Sequence, residues 1–156
     1  MTSPSTLNFE TAQYYLMERV PLAKALGMRL VACADGRASG EQPYDARLIG
    51  NPETGVIAGG VVTTLLDSVC GMAVLSKLRV VQRVATIDLR VDYLRPARPG
   101  HTLHCTAECY RVTHHIAFVR AEVHDGDATN PLATASGTFM LLPDEQHLAA
   151  AQELKR

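Results

Sequence analysis

The chain has almost no charge imbalance: 15 Lys and Arg stand against 16 Asp and Glu in 156 residues, a formal net charge of −1. Nothing global then pulls it toward nucleic acid or an anionic membrane, and neither is expected as a partner. It also lacks a long unbroken apolar run. The nearest approach, Val56 to Leu75, is interrupted by Gly59, Gly60, Thr63, Thr64, Asp67, Ser68 and Gly71. That pattern suits a buried helix of a soluble protein rather than a membrane span. The first residues show no basic segment followed by an apolar one, so no signal peptide is expected and a cytoplasmic location is the default. None of the four cysteines forms a Cys-x-x-Cys pair. Cys105 and Cys109 share a strand face at about 13 Å, too far apart for one zinc or one disulfide, so buried free thiols are expected. Repeats, low-complexity tracts and linkers are missing too, and the length suits one domain.

What is present reads as helix, two strands, long helix, four strands. Phe9–Leu26 has helical apolar spacing, but Pro21 must kink or divide it, and Gly27 is a plausible stop. Met28–Ala34 and Ala38–Tyr44 form a hairpin across Asp35-Gly36. A polar, glycine-rich loop occupies Asp45–Gly55, and a long helix runs from about Gly59 to Lys77. Strands follow at Val84–Leu94, Thr102–Val112, Ile116–His124 and Leu132–Leu142, with turn signals at Arg95-Pro96, Pro99-Gly100, Asp125-Gly126 and Asn130-Pro131. The expected division is an N-terminal helical segment over 1–26, the main domain over 27–142, and a tail over 143–156 that is helical from Asp144 to Lys155. Antiparallel strands interrupted once by an apolar helix predict an α+β domain with the helix on one sheet face. Alternation predicts Ala85, Ile87, Leu89, Val91 and Tyr93 on one face, opposite Thr86, Asp88, Arg90 and Asp92. It likewise groups Leu103, Cys105, Ala107 and Cys109.

The long helix carries the chemistry. At about 100° per residue, Val61, Val62, Leu65, Leu66, Val69, Met72 and Ala73 collect on one arc. Thr63, Thr64, Asp67 and Gly71 collect on the other, and Asp67 is the one charge between Glu53 and Lys77. Its small neighbours leave a low stripe where a slender ligand can approach. Asp67 either serves such a ligand, simply faces water, or is satisfied by the Thr63 or Thr64 hydroxyl. Gly59 and Gly60 leave the first-turn N–H groups uncovered, available to an anion or a polarised carbonyl, or else only permit close packing. Together these features suggest carbonyl chemistry: N–H donors for an oxyanion, and an acid acting as general base or nucleophile.

Gly59-Gly60-(x)6-Asp67, followed by Thr86-Ile-Asp-Leu-Arg-Val-Asp-Tyr-Leu-Arg-Pro-Ala97 and Gly100, resembles the PaaI-like hotdog thioesterases over roughly Leu26 to Leu142. The resemblance implies an antiparallel sheet wrapped around the helix, and a homodimer or dimer of dimers with sites at the subunit interface. It implies acyl-CoA hydrolysis with neither metal nor organic cofactor. By the same resemblance Asp67 is base or nucleophile, the Gly59 N–H polarises the thioester carbonyl, Thr86 holds the attacking water, and Asn51 is the loop asparagine. Substrate and CoA contacts fall on Gly60, Asp88, Tyr93, Arg95, Arg98, Arg111 and His114, the cations being candidates for the CoA phosphates. Ala58 stands where the motif carries histidine. A non-catalytic acyl-CoA-binding or regulatory protein on this fold is the alternative. A hydratase is disfavoured, because no histidine precedes His101.

Overall fold

The computed structural model describes residues 7–79 and 82–142. Pro21 divides the first helical stretch as expected: α1 is Phe9–Arg19, capped by the Asn8 side chain, and α2 is Pro21–Leu26 with proline at its start. Gly27 stops α2 in the left-handed conformation at φ 74°, which glycine adopts without steric cost. β1 (Arg29–Ala34) and β2 (Arg37–Gln42) form the hairpin across Asp35-Gly36. The stretch read as a plain loop is more ordered. It holds a 3-10 turn at Ala46–Leu48 and a small antiparallel hairpin of β3 (Ile49–Asn51) and β4 (Val56–Ile57). α3 (Gly59–Leu78) follows, then β5 (Val84–Tyr93), β6 (Leu103–Val112), β7 (Ile116–His124) and β8 (Ala133–Leu141). The terminal helix expected at Asp144–Lys155 lies outside the described residues.

The main sheet has six strands in the order β1-β2-β6-β7-β8-β5, every pair antiparallel. α3 lies against its inner face and touches strands across its whole width. The close fit comes from small residues. Ala38, Ala107, Ala121 and Ala135 form a register row across β2, β6, β7 and β8, all buried. At Gly40 any Cβ would sit 2.8 Å from the Val69 side chain. Leu65, Leu66, Val69, Val74 and Leu75 fill the interior at 0–1% exposure. Full burial of each such side chain stabilises by about 2 kcal/mol. By length and composition α3 is apolar enough to cross a membrane, yet 67% of that window is buried inside the fold. Ala12, Leu16 and Ala23 join the same core, so α1 and α2 pack on the sheet-and-helix unit. Cys70, Cys105 and Cys109 are buried free thiols and Cys33 is partly buried; burial pushes the Cys70 thiol up to about 12.

β5 departs from simple alternation. Thr86 pairs with Phe139, but the next pair is Asp88 with Thr138, so Ile87 is an extra, bulged residue. The bulge moves the helix-facing set by one position. Thr86, Leu89, Val91 and Tyr93 share the side of the buried Phe139 and Ala135, while Ala85 and Asp88 point away. The expected grouping of Thr86 with Asp88 is thereby corrected, and Ile87 is 51% exposed. β5 is also an open edge of the sheet.

Candidate active site

The start of α3 is held by backbone on one side and by the Tyr93 side chain on the other. Ala58 is its N-cap and provides no side-chain hydrogen bond. Its N–H donates to Leu48 O at 2.9 Å, and Gly50 approaches so closely that a Cβ there would lie 2.7 Å from Ala58 Cα. β3 is thereby pinned beside the helix start. The Gly59 and Gly60 N–H groups have no acceptor within the helix, as for any first turn. From the other side, Tyr93 Oη donates to Gly59 O at 2.6 Å and lies 2.6 Å from Thr63 Oγ1. A pocket of about 300 Å³ opens here, walled by Gly59, Tyr93, Ile57, Val62, Ala97 and Leu132 among others.

Two turns along the helix, Asp67 is half-buried and accepts a hydrogen bond from Thr86 Oγ1 at 2.7 Å. The two nearby threonines do not satisfy it. Thr63 Oγ1 lies 2.6 Å from Tyr93 Oη and 3.3 Å from Gly59 O, and Thr64 Oγ1 donates to Gly60 O at 2.8 Å. The acid thus has a hydroxyl partner on β5, delivered by the Ile87 bulge. The low stripe is shorter than expected: from Val69 to Ser76 the helix is buried all round, and Gly71 lies under Phe139. The solvent-accessible part of α3's polar stripe lies between Gly59 and Ser68.

The remaining candidates are spread more widely. Asn51 sits in the β3–β4 hairpin, where its Oδ1 accepts from the Glu53 N–H at 3.0 Å and shapes the turn. Asp88 is exposed on the outer face of β5. Arg111 is the second-last residue of β6, and His114 lies in the β6–β7 turn edge-on to His115 at 4.3 Å. Tyr93–Arg98 lies at the opposite end of the sheet, because β5 and β6 each span ten residues, about 30 Å. Within one chain these two segments do not serve one end of a ligand. Among the described residues no group of three His, Cys, Asp or Glu is placed to hold a metal ion.

Arg95 and Arg98 share a partner that the sequence did not reveal. Asp125, 1% exposed, accepts from Arg95 Nη1 and Nη2 at 3.0 and 2.7 Å and from the Arg98 backbone N–H at 2.7 Å. Arg98 Nη2 adds a bond to Asp125 O at 2.6 Å. The Arg95 guanidinium beside it holds the Asp125 carboxyl well below the usual carboxylate range. This clamp fixes the Arg95–Ala97 wall of the pocket; Asp125 itself was visible only as half of an Asp-Gly turn signal. A carboxylate stabilised in its ionised form contributes fully above its unfolded pKa of about 3.9 and loses that contribution as pH falls toward the folded value. Asp125→Asn is therefore expected to cost about 3 kcal/mol at pH 7, and the deficit should shrink below about pH 4. Urea midpoints at the two pH values check this; a deficit that is the same at both contradicts it.

A family model described as the thioesterase superfamily matches residues 54–131, which include the helix start, Asp67 and Thr86. Among curated proteins, the medium/long-chain acyl-CoA thioesterase YigI of Escherichia coli K12 is 30% identical, covering 78% of this chain and 86% of that protein. A Halobacterium salinarum putative esterase is 34% identical over 80% of this chain and 86% of its own length. Among solved structures, a Pseudomonas aeruginosa protein superposes with a TM-score of 0.77 at 35% identity, over 85% of this chain and 98% of that one. With both the sequence relatives and the sheet-wrapped helix in agreement, the chain belongs to the thioesterase superfamily and has its PaaI-like hotdog fold.

Proposed function

We propose that the protein hydrolyses acyl-CoA thioesters to free acid and CoA, with Asp67 as general base or nucleophile and the Gly59 N–H as oxyanion donor. The observation that carries this reading is the Asp67–Thr86 pair at 2.7 Å, an acid and a hydroxyl positioned together on the open part of α3. In the general-base form, Thr86 and Asp67 hold a water, Asp67 takes its proton, and the water oxygen bonds to the acyl carbon. Negative charge develops on the carbonyl oxygen, where a helix-start N–H meets it. Collapse breaks the C–S bond, and the CoA sulfur leaves with the proton Asp67 had taken. The nucleophilic form replaces the first step by carboxylate attack and leaves an anhydride for water to cleave. Neither form needs a metal or an organic cofactor.

Gly59 and Asp67 are eight residues apart, about 12 Å along the helix. An oxyanion donor and a nucleophile must each lie about 3 Å from the same carbonyl group. In one chain the Thr63–Tyr93 hydroxyl pair also fills the space between them. Both groups reach one thioester most simply if they come from different chains. β5 supplies the means, as a ten-residue open edge that invites pairing. A two-fold axis at Arg90 sets Tyr93, beside Gly59 in one chain, opposite Thr86 and Ile87, beside Asp67 in the other. The same dimer brings together sheet ends that are remote within one chain, so that Arg98, Arg111 and His114 can border one CoA, with Gly60 and Asp88 nearby. Asn51 stays a candidate for the loop side of the site. Further pairing into a dimer of dimers is compatible with this arrangement. YigI being a medium/long-chain enzyme by name, fatty acyl groups of that range are the proposed substrates, and the location is cytoplasmic.

One residue favours a second reading. Ala58 offers no hydrogen-bonding side chain to the helix start, as suits a protein that binds acyl-CoA without cleaving it. Free-thiol release from a panel of acyl-CoAs decides between them. Turnover supports the hydrolase; calorimetric binding of a non-hydrolysable analogue with no turnover of any thioester supports the binding protein.

A further inference from the structure

We propose that Tyr93 is a positioning residue that polarises the Gly59–Gly60 peptide, making the Gly60 N–H a second oxyanion donor. This rests on the thioesterase reading and deepens it. Thr63 Oγ1 and Tyr93 Oη lie 2.6 Å apart, and Tyr93 Oη lies 2.6 Å from Gly59 O, whereas Thr63 Oγ1 is 3.3 Å from that carbonyl. Each hydroxyl has one proton to give. Both short contacts are met when Thr63 donates to Tyr93 and Tyr93 donates to Gly59 O. Hydrogen bonds in such a chain strengthen one another.

The end of the chain decides its effect. The Gly59 carbonyl and the Gly60 N–H belong to one conjugated, planar peptide unit. A hydrogen bond received by the oxygen draws charge from the nitrogen and makes the N–H a better donor. The Gly59 N–H belongs to the Ala58 peptide and gains nothing from Tyr93. Gly60 N–H has no helical acceptor, and a Cβ at Gly60 would meet nothing within 4 Å, so its surroundings are open. At Gly59 a Cβ would lie 3.3 Å from Tyr93 Oη, which shows how firmly the ring sits against this turn. Ala58 cannot brace the helix start with a side chain; β5 braces it from the side through Tyr93.

Tyr93→Phe removes the hydroxyl and keeps the ring. In 1H–15N spectra the Gly60 amide should move while the Gly59 amide stays. With a turned-over acyl-CoA, kcat should fall about tenfold with KM little changed. Affinity for an S-alkyl-CoA thioether, which has no carbonyl, should not change. Thr63→Val, which leaves Tyr93 in place, should give a smaller kcat loss and add none to Tyr93→Phe. An unmoved Gly60 amide, or an unchanged kcat with raised KM and weaker thioether binding, overturns the proposal and makes Tyr93 a CoA contact. Absence of wild-type turnover across the panel rejects the thioesterase reading and this proposal with it; wild-type turnover with equal kcat in Tyr93→Phe rejects this proposal alone.

Discussion

Replacing Asp67 by asparagine is expected to lower thioester hydrolysis by about a thousandfold while leaving the fold intact. Asparagine keeps the shape of the side chain and an oxygen that can accept from Thr86 Oγ1, now 2.7 Å from the acid. It loses the negative charge that takes a proton from water or attacks the acyl carbon. The position is half-buried on the open stretch of α3, away from the fully buried part between Val69 and Ser76, so little folding energy depends on the charge. The measurement is free-thiol release with medium-chain acyl-CoAs beside a thermal melt of both proteins. Equal rates in wild type and variant would remove Asp67 from the chemistry. A large drop in melting temperature would make the activity loss structural.

The second large effect concerns where the two halves of a site come from. Gly59→Pro deletes the N–H at the first helical position, where a proline backbone is tolerated, and its Cβ, 3.3 Å from Tyr93 Oη, requires that ring to give by a few tenths of an ångström. Ala58, at φ −58° and ψ 135°, already has the backbone that precedes proline. That variant alone should lose about a hundredfold in kcat, and Asp67→Asn alone more. Mixed after unfolding and refolding together in equal amounts, half of the dimers should contain one chain of each kind. If each site takes its donor from one chain and its acid from the other, every mixed dimer has one intact site of two. The mixture should then recover about a quarter of wild-type activity. Recovery near zero places donor and acid in the same chain and rejects the β5-paired dimer as the catalytic unit.

Most of the fold could be read from the sequence because its signals were local and strong. Pro21, Gly27, Asp35-Gly36 and the interrupted apolar run each acted where they stood, and α3 begins at Gly59 as its glycines suggested. The β3–β4 hairpin was hidden because strands of three and two residues are too short to show a period. Asp67 was legible as a lone charge on an apolar helix, and Thr86 through the motif resemblance. Its direction was not, because counting by twos through Thr86, Ile87 and Asp88 gives no hint of an extra residue. The Arg95–Asp125–Arg98 clamp and the Tyr93–Gly59 contact join positions about 30 residues apart. Such pairs are set by tertiary packing, which no local pattern encodes.

The bulge at Ile87 also bears on how relatives should be compared. A strand with one residue too many keeps its length on paper but changes phase halfway. Residues from Leu89 onward can match a relative position for position while Thr86 matches only after a one-residue gap. Against a relative without the bulge, a gap-free alignment pairs the acid's hydroxyl partner with an outward-facing neighbour, so an absent threonine there is evidence about phase before it is evidence about chemistry.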